Sequence, residues 1–170
     1  MRKEHIPKPV IVSEIIRQVV EKVKVASGID VNFYHDSPEQ LETKLIDKGK
    51  MGQIKYPAIL LFHDFPEDNG GEYYGRITIP KLAIVEKTKR ELYADARYAK
   101  TFIPILYPLY EWLKIKLAQH PAIVETDPAN IIHRKWDRLD WGTKDAGQEL
   151  NDVLDAIELQ NIRITLQQNC

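Results

Sequence analysis

The sequence predicts an α+β domain: a mainly antiparallel sheet with one long hairpin loop, packed against an N-terminal helix and a long central helix. Three observations predict it. Val12, Ile15, Ile16, Val19, Val20 and Val23 recur at three- and four-residue spacing, the period of one helix face. Two apolar runs, 56–62 and 77–85, flank a turn-rich segment, HDFPEDNGGEYYG, which reads as a hairpin with an oversized loop. A second stripe, Phe102, Ile105, Leu106, Leu109, Leu113 and Leu117, predicts the central helix.

Residues 1–9, with charges and two prolines, read as a loose arm ahead of a single domain over 10–168. The first helix is expected over 10–25, with Gly28 as its stop. Val31, Phe33 and His35 alternate with Asn32, Tyr34 and Asp36, the two-residue period of a strand. Ser37-Pro38-Glu39-Gln40 matches a capping box with proline in the first turn, opening a short helix that carries Leu41, Leu45 and Ile46. The central helix is expected over 95–119. Pro108 inside it removes a backbone hydrogen bond, so the regular helix either starts near Pro104 or kinks around Pro108. The mixed-period stretch 120–150 reads as an insertion. At the end of the chain, Ile157 and Leu159 share one parity while Ile162, Ile164 and Leu166 share the other. That switch implies a bulge near Gln160-Asn161, or a strand serving two layers.

The composition narrows the function classes. The 170 residues hold 24 basic and 25 acidic side chains, without the basic surplus that tight phosphate binding needs. Contact with DNA is therefore expected in passing only. One cysteine, Cys170, forms no internal disulfide. The first residues lack the apolar run of a signal peptide, and no apolar window spans a bilayer. A soluble protein made in a reducing cytoplasm, without membrane contact, is the expectation.

No residue pattern carries chemistry well. His133, Asp137 and Asp140 would share one helix face and could hold a divalent ion. Arg134, Lys135 and Arg138 are interleaved with them, which favours a paired charged surface with Trp136 and Trp141 half-buried. His63, Asp64, Glu67 and Asp68 lack the ordered spacing of a calcium loop. Asn69-Gly70-Gly71 lacks the strand, lysine and helix context of a phosphate loop. No catalytic residue, cofactor or resident metal is expected, and the chain reads as a non-enzyme. The tyrosines around the hairpin and central helix fit either a core edge or a subunit interface.

Two stretches, ITIPKLAIVEKTKRELYADARYAKTFIPILYPLYEWL and LDAIELQNIRITL, resemble phage tail-completion proteins. These are tail-terminator-like neck proteins, similar to those of phages and prophages of Bacteroides-type bacteria, and the likeness covers about residues 8–168. It implies a structural virion protein, made in the host cytoplasm, that forms a homo-oligomeric ring in the neck or at the head-proximal end of the tail. The ring would join the head connector to the tail, touch neighbouring neck, connector or tail-tube proteins, and border the DNA channel. The channel or ring–ring contact would fall to Asp64, Glu67, Asp68, Asn69, Gly70, Gly71 and Glu72, an acidic loop that repels passing DNA. The subunit interface would fall to Lys87, Lys89, Arg90, Glu91, Tyr93, Arg97 and Tyr98. The alternatives are a soluble adaptor that forms no ring, and a metal-dependent enzyme built on His133, Asp137 and Asp140.

Overall fold

In the computed structural model, which describes residues 11–63, 67–68, 74–126, 131–139 and 152–167, two strands of equal length organise the sheet. These are β4 (Tyr74–Lys87) and β7 (Leu154–Gln167), each 14 residues long. They pair antiparallel from Tyr74 opposite Gln167 to Lys87 opposite Leu154. Two shorter strands cover each flank. On the β4 side, β2 (Ala58–Phe62) pairs with residues 82–85 and β3 (Glu67–Asp68) with residues 76–77. On the β7 side, β6 (Ile132–Leu139) pairs with residues 154–160 and β5 (Ile123–Thr126) with residues 164–166. The remaining strand, β1 (Asn32–Asp36), lies parallel to β2. The fold is thus α+β with a mostly antiparallel seven-stranded sheet, as the sequence predicts.

The expected parity switch is present, and the partner strand shares it. Ile157 and Leu159, then Ile162, Ile164 and Leu166, all lie in one core, as do Ile77 and Ile79, then Leu82 and Ile84. Opposed residues of an antiparallel pair point to the same face, so a switch in β7 alone would strand the apolar residues of β4 in water. Both strands switch at one level, Pro80 facing Asn161. The register is therefore the same on either side, Ile79 opposite Ile162 and Leu82 opposite Leu159. Asn161 makes the turn with a left-handed φ of 54°, a conformation asparagine tolerates better than branched residues. The strand reverses faces without a one-sided bulge.

Helices cover both faces. The first, α1 (Val12–Ser27), buries all six residues of its predicted stripe and ends at Gly28, whose φ is 70°. The second, α2 (Pro38–Lys50), opens with the Ser37 side chain accepting the Gln40 N–H at 3.4 Å. The third, α3, runs over 94–118 as a short α turn (Ala94–Arg97), a π-helical stretch (Tyr98–Leu106) and a regular α segment (Tyr107–Ala118). Pro108 sits in the first turn of that regular segment, where its missing N–H costs least. Pro104 falls in the wider π winding. There the Tyr107 N–H reaches the Phe102 carbonyl, five residues back, so the proline region keeps hydrogen bonds that ordinary α spacing would lose.

On one face of the sheet, α1 and α3 bury Val19, Leu82, Leu106, Leu113 and Ile157. On the other, Leu41 and Leu45 of α2 meet Ala58, Leu60, Ala83, Val85 and Ala156. Within the 120–150 stretch, residues 123–126 and 132–139 form β5 and β6 of the sheet. Their charges interrupt the apolar period because both strands lie at the sheet's rim, with Val124 and Ile132 exposed. Residues 1–9 lie outside the described residues. No helix among the described residues is long and apolar enough to cross a membrane.

Asn161→Val should cost about 1–2 kcal/mol, because a β-branched side chain opposes the left-handed conformation. Asn161→Gly should leave stability within about 0.5 kcal/mol of the parent. Urea unfolding of the two variants checks both values.

Candidate functional site

The most constrained polar feature lies where β4 hands over to α3. The connector, residues 88–93, leaves the sheet at Thr88, whose N–H donates to the Val153 carbonyl at 2.8 Å. Behind it, Arg97 is only 1% exposed and Asp155 is fully buried. The Arg97 Nη1 donates to Asp155 Oδ1 at 2.8 Å, and the Thr101 hydroxyl donates to Asp155 Oδ2 at 2.7 Å. The other two guanidinium nitrogens donate to connector carbonyls, Nε to Leu92 at 3.1 Å and Nη2 to Lys89 at 3.2 Å. A buried charge is tolerated when paired and fully hydrogen-bonded, and here the pairing fixes a surface loop from below. The connector backbone is held at two carbonyls while its side chains face water: Lys89, Arg90 and Glu91 are exposed, and Tyr93 is 83% exposed.

A second charged group sits beside the connector's root. Asp152 accepts from Lys55, from Lys87 at 2.7 Å and from the Tyr56 hydroxyl at 3.3 Å. Burial alone would push the Asp152 carboxyl up, but hydrogen bonds and charge from Lys55 and Lys87 outweigh it and hold the group below the ordinary 3.8. Burial and the same carboxylate push the Tyr56 phenol well above its usual range. Glu86 stands directly across the ladder from Asp155. Its Oε1 accepts the Lys87 N–H at 2.9 Å, while Oε2 is buried with no partner. Burial raises the Glu86 carboxyl above its ordinary 4.5, and the charge of Asp155 adds to the rise.

Of the seven proposed interface residues, Lys89, Arg90, Glu91 and Tyr93 form an exposed group. Arg97 is corrected from a contact residue to a buried anchor, because its guanidinium is spent on Asp155 and the connector carbonyls. Lys87 is tied to Asp152. Tyr98 is half-buried, stacked 5.3 Å from Phe102, and its hydroxyl accepts from Lys135. Tyr107 and Tyr110 also pack on the core, so of these tyrosines Tyr93 is the one left in water. Of the proposed loop, Glu67 and Asp68 form β3. Asp64, Asn69, Gly70, Gly71 and Glu72 lie outside the described residues.

The metal grouping rests on a helix, and the segment is a strand. In β6, His133 and Asp137 are four residues apart, about 13 Å along the chain, so one ion cannot bridge them. Asp140 lies outside the described residues. The His133 ring instead stacks on Tyr110 at 4.9 Å between centroids, with Nδ1 3.0 Å from the tyrosine hydroxyl. No group of three metal-ligating side chains occurs among the described residues. Trp136 is half-buried beneath the Arg134 guanidinium, 3.8 Å from its ring centre.

An open trough of about 760 Å³ lies at the far half of the sheet, lined in part by Arg76, Thr78, Glu125, Arg163 and Thr165. These residues bring opposed charges and hydroxyls together, with no nucleophile poised against a base. The chain matches no protein-family model, no curated protein and no solved structure.

The Arg97–Asp155 pair has a direct test. Arg97→Met should destabilise the domain by about 3–5 kcal/mol, since it leaves a buried carboxylate without its counter-charge. Amide exchange at residues 89–93 should accelerate in the same variant. An unchanged urea midpoint with unchanged exchange would contradict the anchoring role.

Glu86 gives a pH prediction. Its folded pKa is raised, so its contribution to stability is complete below the unfolded value of 4.5 and is lost as pH climbs through the raised folded value. Glu86→Gln should therefore gain stability relative to the parent as pH rises above 4.5. Denaturation midpoints from pH 4 to 8 (about this range, on either side of the carboxylate pKa values) measure the difference.

Proposed function

We propose that the chain is a structural, non-enzymatic subunit that assembles with copies of itself into a ring in a phage neck or at the head-proximal end of a tail. The ring joins the head connector to the tail and borders the path of DNA. The observation that carries the reading is the connector. A buried ion pair holds its backbone, and it presents Tyr93 almost fully to water beside Lys89, Arg90 and Glu91. An aromatic on a pre-ordered loop binds a partner with little further loss of conformational freedom, and tyrosine is enriched at such contacts. The resemblance of 77–113 and 154–166 to tail-completion proteins supports the same assignment. A near-neutral chain, 24 basic against 25 acidic residues, suits a wall that lets DNA pass without holding it.

The reading expects mass in solution to rise with concentration towards one closed species. Tyr93→Ala should weaken that association by about tenfold or more, the loss typical of an interface aromatic, while leaving the unfolding midpoint within about 0.5 kcal/mol. Sedimentation velocity over a concentration series reads both forms. A parent chain that stays monomeric throughout, and stays so with connector and tail-tube proteins present, would overturn the assignment.

A further inference from the structure

Two histidines meet at the edge of the sheet, away from the connector. His35 is the penultimate residue of β1 (Asn32–Asp36), and His63 follows directly on β2 (Ala58–Phe62). The strands are parallel, with His35 opposite Leu61. His63 therefore lies two residues further along on the same face, because side chains alternate along a strand. The His63 N–H donates to the Asp36 carbonyl at 3.1 Å, which carries the pairing one step past β1 and fixes both histidines on neighbouring backbone. Their ring centres are 6.3 Å apart, at an interplanar angle of 36°. An ion bound through one nitrogen of each imidazole lies about 2.0–2.1 Å from each nitrogen, which puts the two ring centres roughly 5–6.5 Å apart.

The chemistry of the pair agrees with its spacing. The His35 Nδ1 is buried without a hydrogen-bond partner among the described residues, a cost that buried nitrogens usually avoid. Burial, then the charges of Arg17 and Lys44, push the His35 imidazole below its ordinary 6.5, which keeps the ring in the neutral form that ligates metal. The same two cations oppose a bound ion, but each has its own carboxylate. Arg17 Nε lies 3.3 Å from Glu14 Oε2, and Lys44 Nζ lies 2.7 Å from Asp36 Oδ2. Phe33 packs against the His35 ring, 5.9 Å between centres, and limits its rotation.

We infer that His35 and His63 bind a divalent transition ion of the zinc class, one nitrogen from each ring, at the carboxyl ends of β1 and β2. Imidazole suits such ions, whereas magnesium and calcium prefer oxygen. Two protein ligands leave the remaining tetrahedral positions to water, so the ion exchanges, unlike one in a structural zinc centre with four protein ligands. Among the described strands, β1 ends the strand order and pairs with β2 alone. A bound ion cross-links this edge strand to its neighbour and stabilises the folded chain by mass action. The site lies within a single copy and stands apart from ring formation.

Titration with zinc chloride, followed by calorimetry and by the histidine ring resonances, tests the site. The parent should show saturable uptake, with the His35 and His63 resonances shifting together and the unfolding midpoint rising with zinc concentration. His35→Gln and His63→Ala should each weaken uptake by about tenfold or more, since even an outer-shell change costs a metal site that much. His63 is exposed, so without zinc His63→Ala should keep the parent's circular dichroism and midpoint, and its lost uptake reads the ligand rather than the fold. His133→Gln should keep the parent's isotherm, and magnesium at the same concentration should leave both resonances in place. A parent chain without saturable zinc uptake would overturn the site. Parent affinity retained in His35→Gln or His63→Ala would do the same, as would equal shifts with magnesium, which mark a general response to charge.

Discussion

The β4–β7 ladder is the constraint on which the other elements depend. Its fourteen-residue strands place β2 and β3 along one flank and β5 and β6 along the other. Both strands reverse their buried face at Pro80 and Asn161, so one continuous ladder serves α1 and α3 on the same side over its whole length. Among the described residues, the second face is covered where Ala83, Val85, Leu154 and Ala156 meet α2. Beyond the reversal, Arg76, Thr78, Arg163 and Thr165 line the trough. One end of the ladder is closed by the charged anchors and the connector.

The closed end shows how burial is converted into surface order. Asp155 lies in phase with Ile157 and Leu159 on the core face, where a carboxylate is costly unless neutralised. Arg97 reaches it from the first turn of α3, and the same guanidinium takes up the carbonyls of Lys89 and Leu92. Replacing such a pair by apolar residues would often be neutral for stability, and it would free the connector. The pair thus has a consequence that packing alone would not supply: Tyr93, Lys89 and Arg90 are presented on a fixed backbone.

Much of the fold is legible in the sequence wherever one period dominates. The stripe of α1, the Ser37 cap, the five buried residues of β2 and the parity switch at Asn161 all follow from local pattern. Residues 120–150 do not, because β5 and β6 are rim strands whose charges blur the two-residue alternation. That blurring also makes a helical reading of His133 and Asp137 attractive when the segment is a strand. Arg97 looks like a surface charge because its partner, Asp155, is 58 residues away. The signal available in sequence was the acid itself, placed among the core-facing residues of LDAIELQ. Half-buried Tyr98 differs from exposed Tyr93 through its neighbour Phe102 one turn on and through the distant Lys135, the second of which no local pattern records.

The central claim is the proposal that copies of this domain assemble into a closed ring. Electron microscopy of the largest species isolated from solution tests it most directly. The account predicts closed annuli of uniform diameter with an open centre. Open filaments, irregular clusters or compact dimers in their place would contradict it.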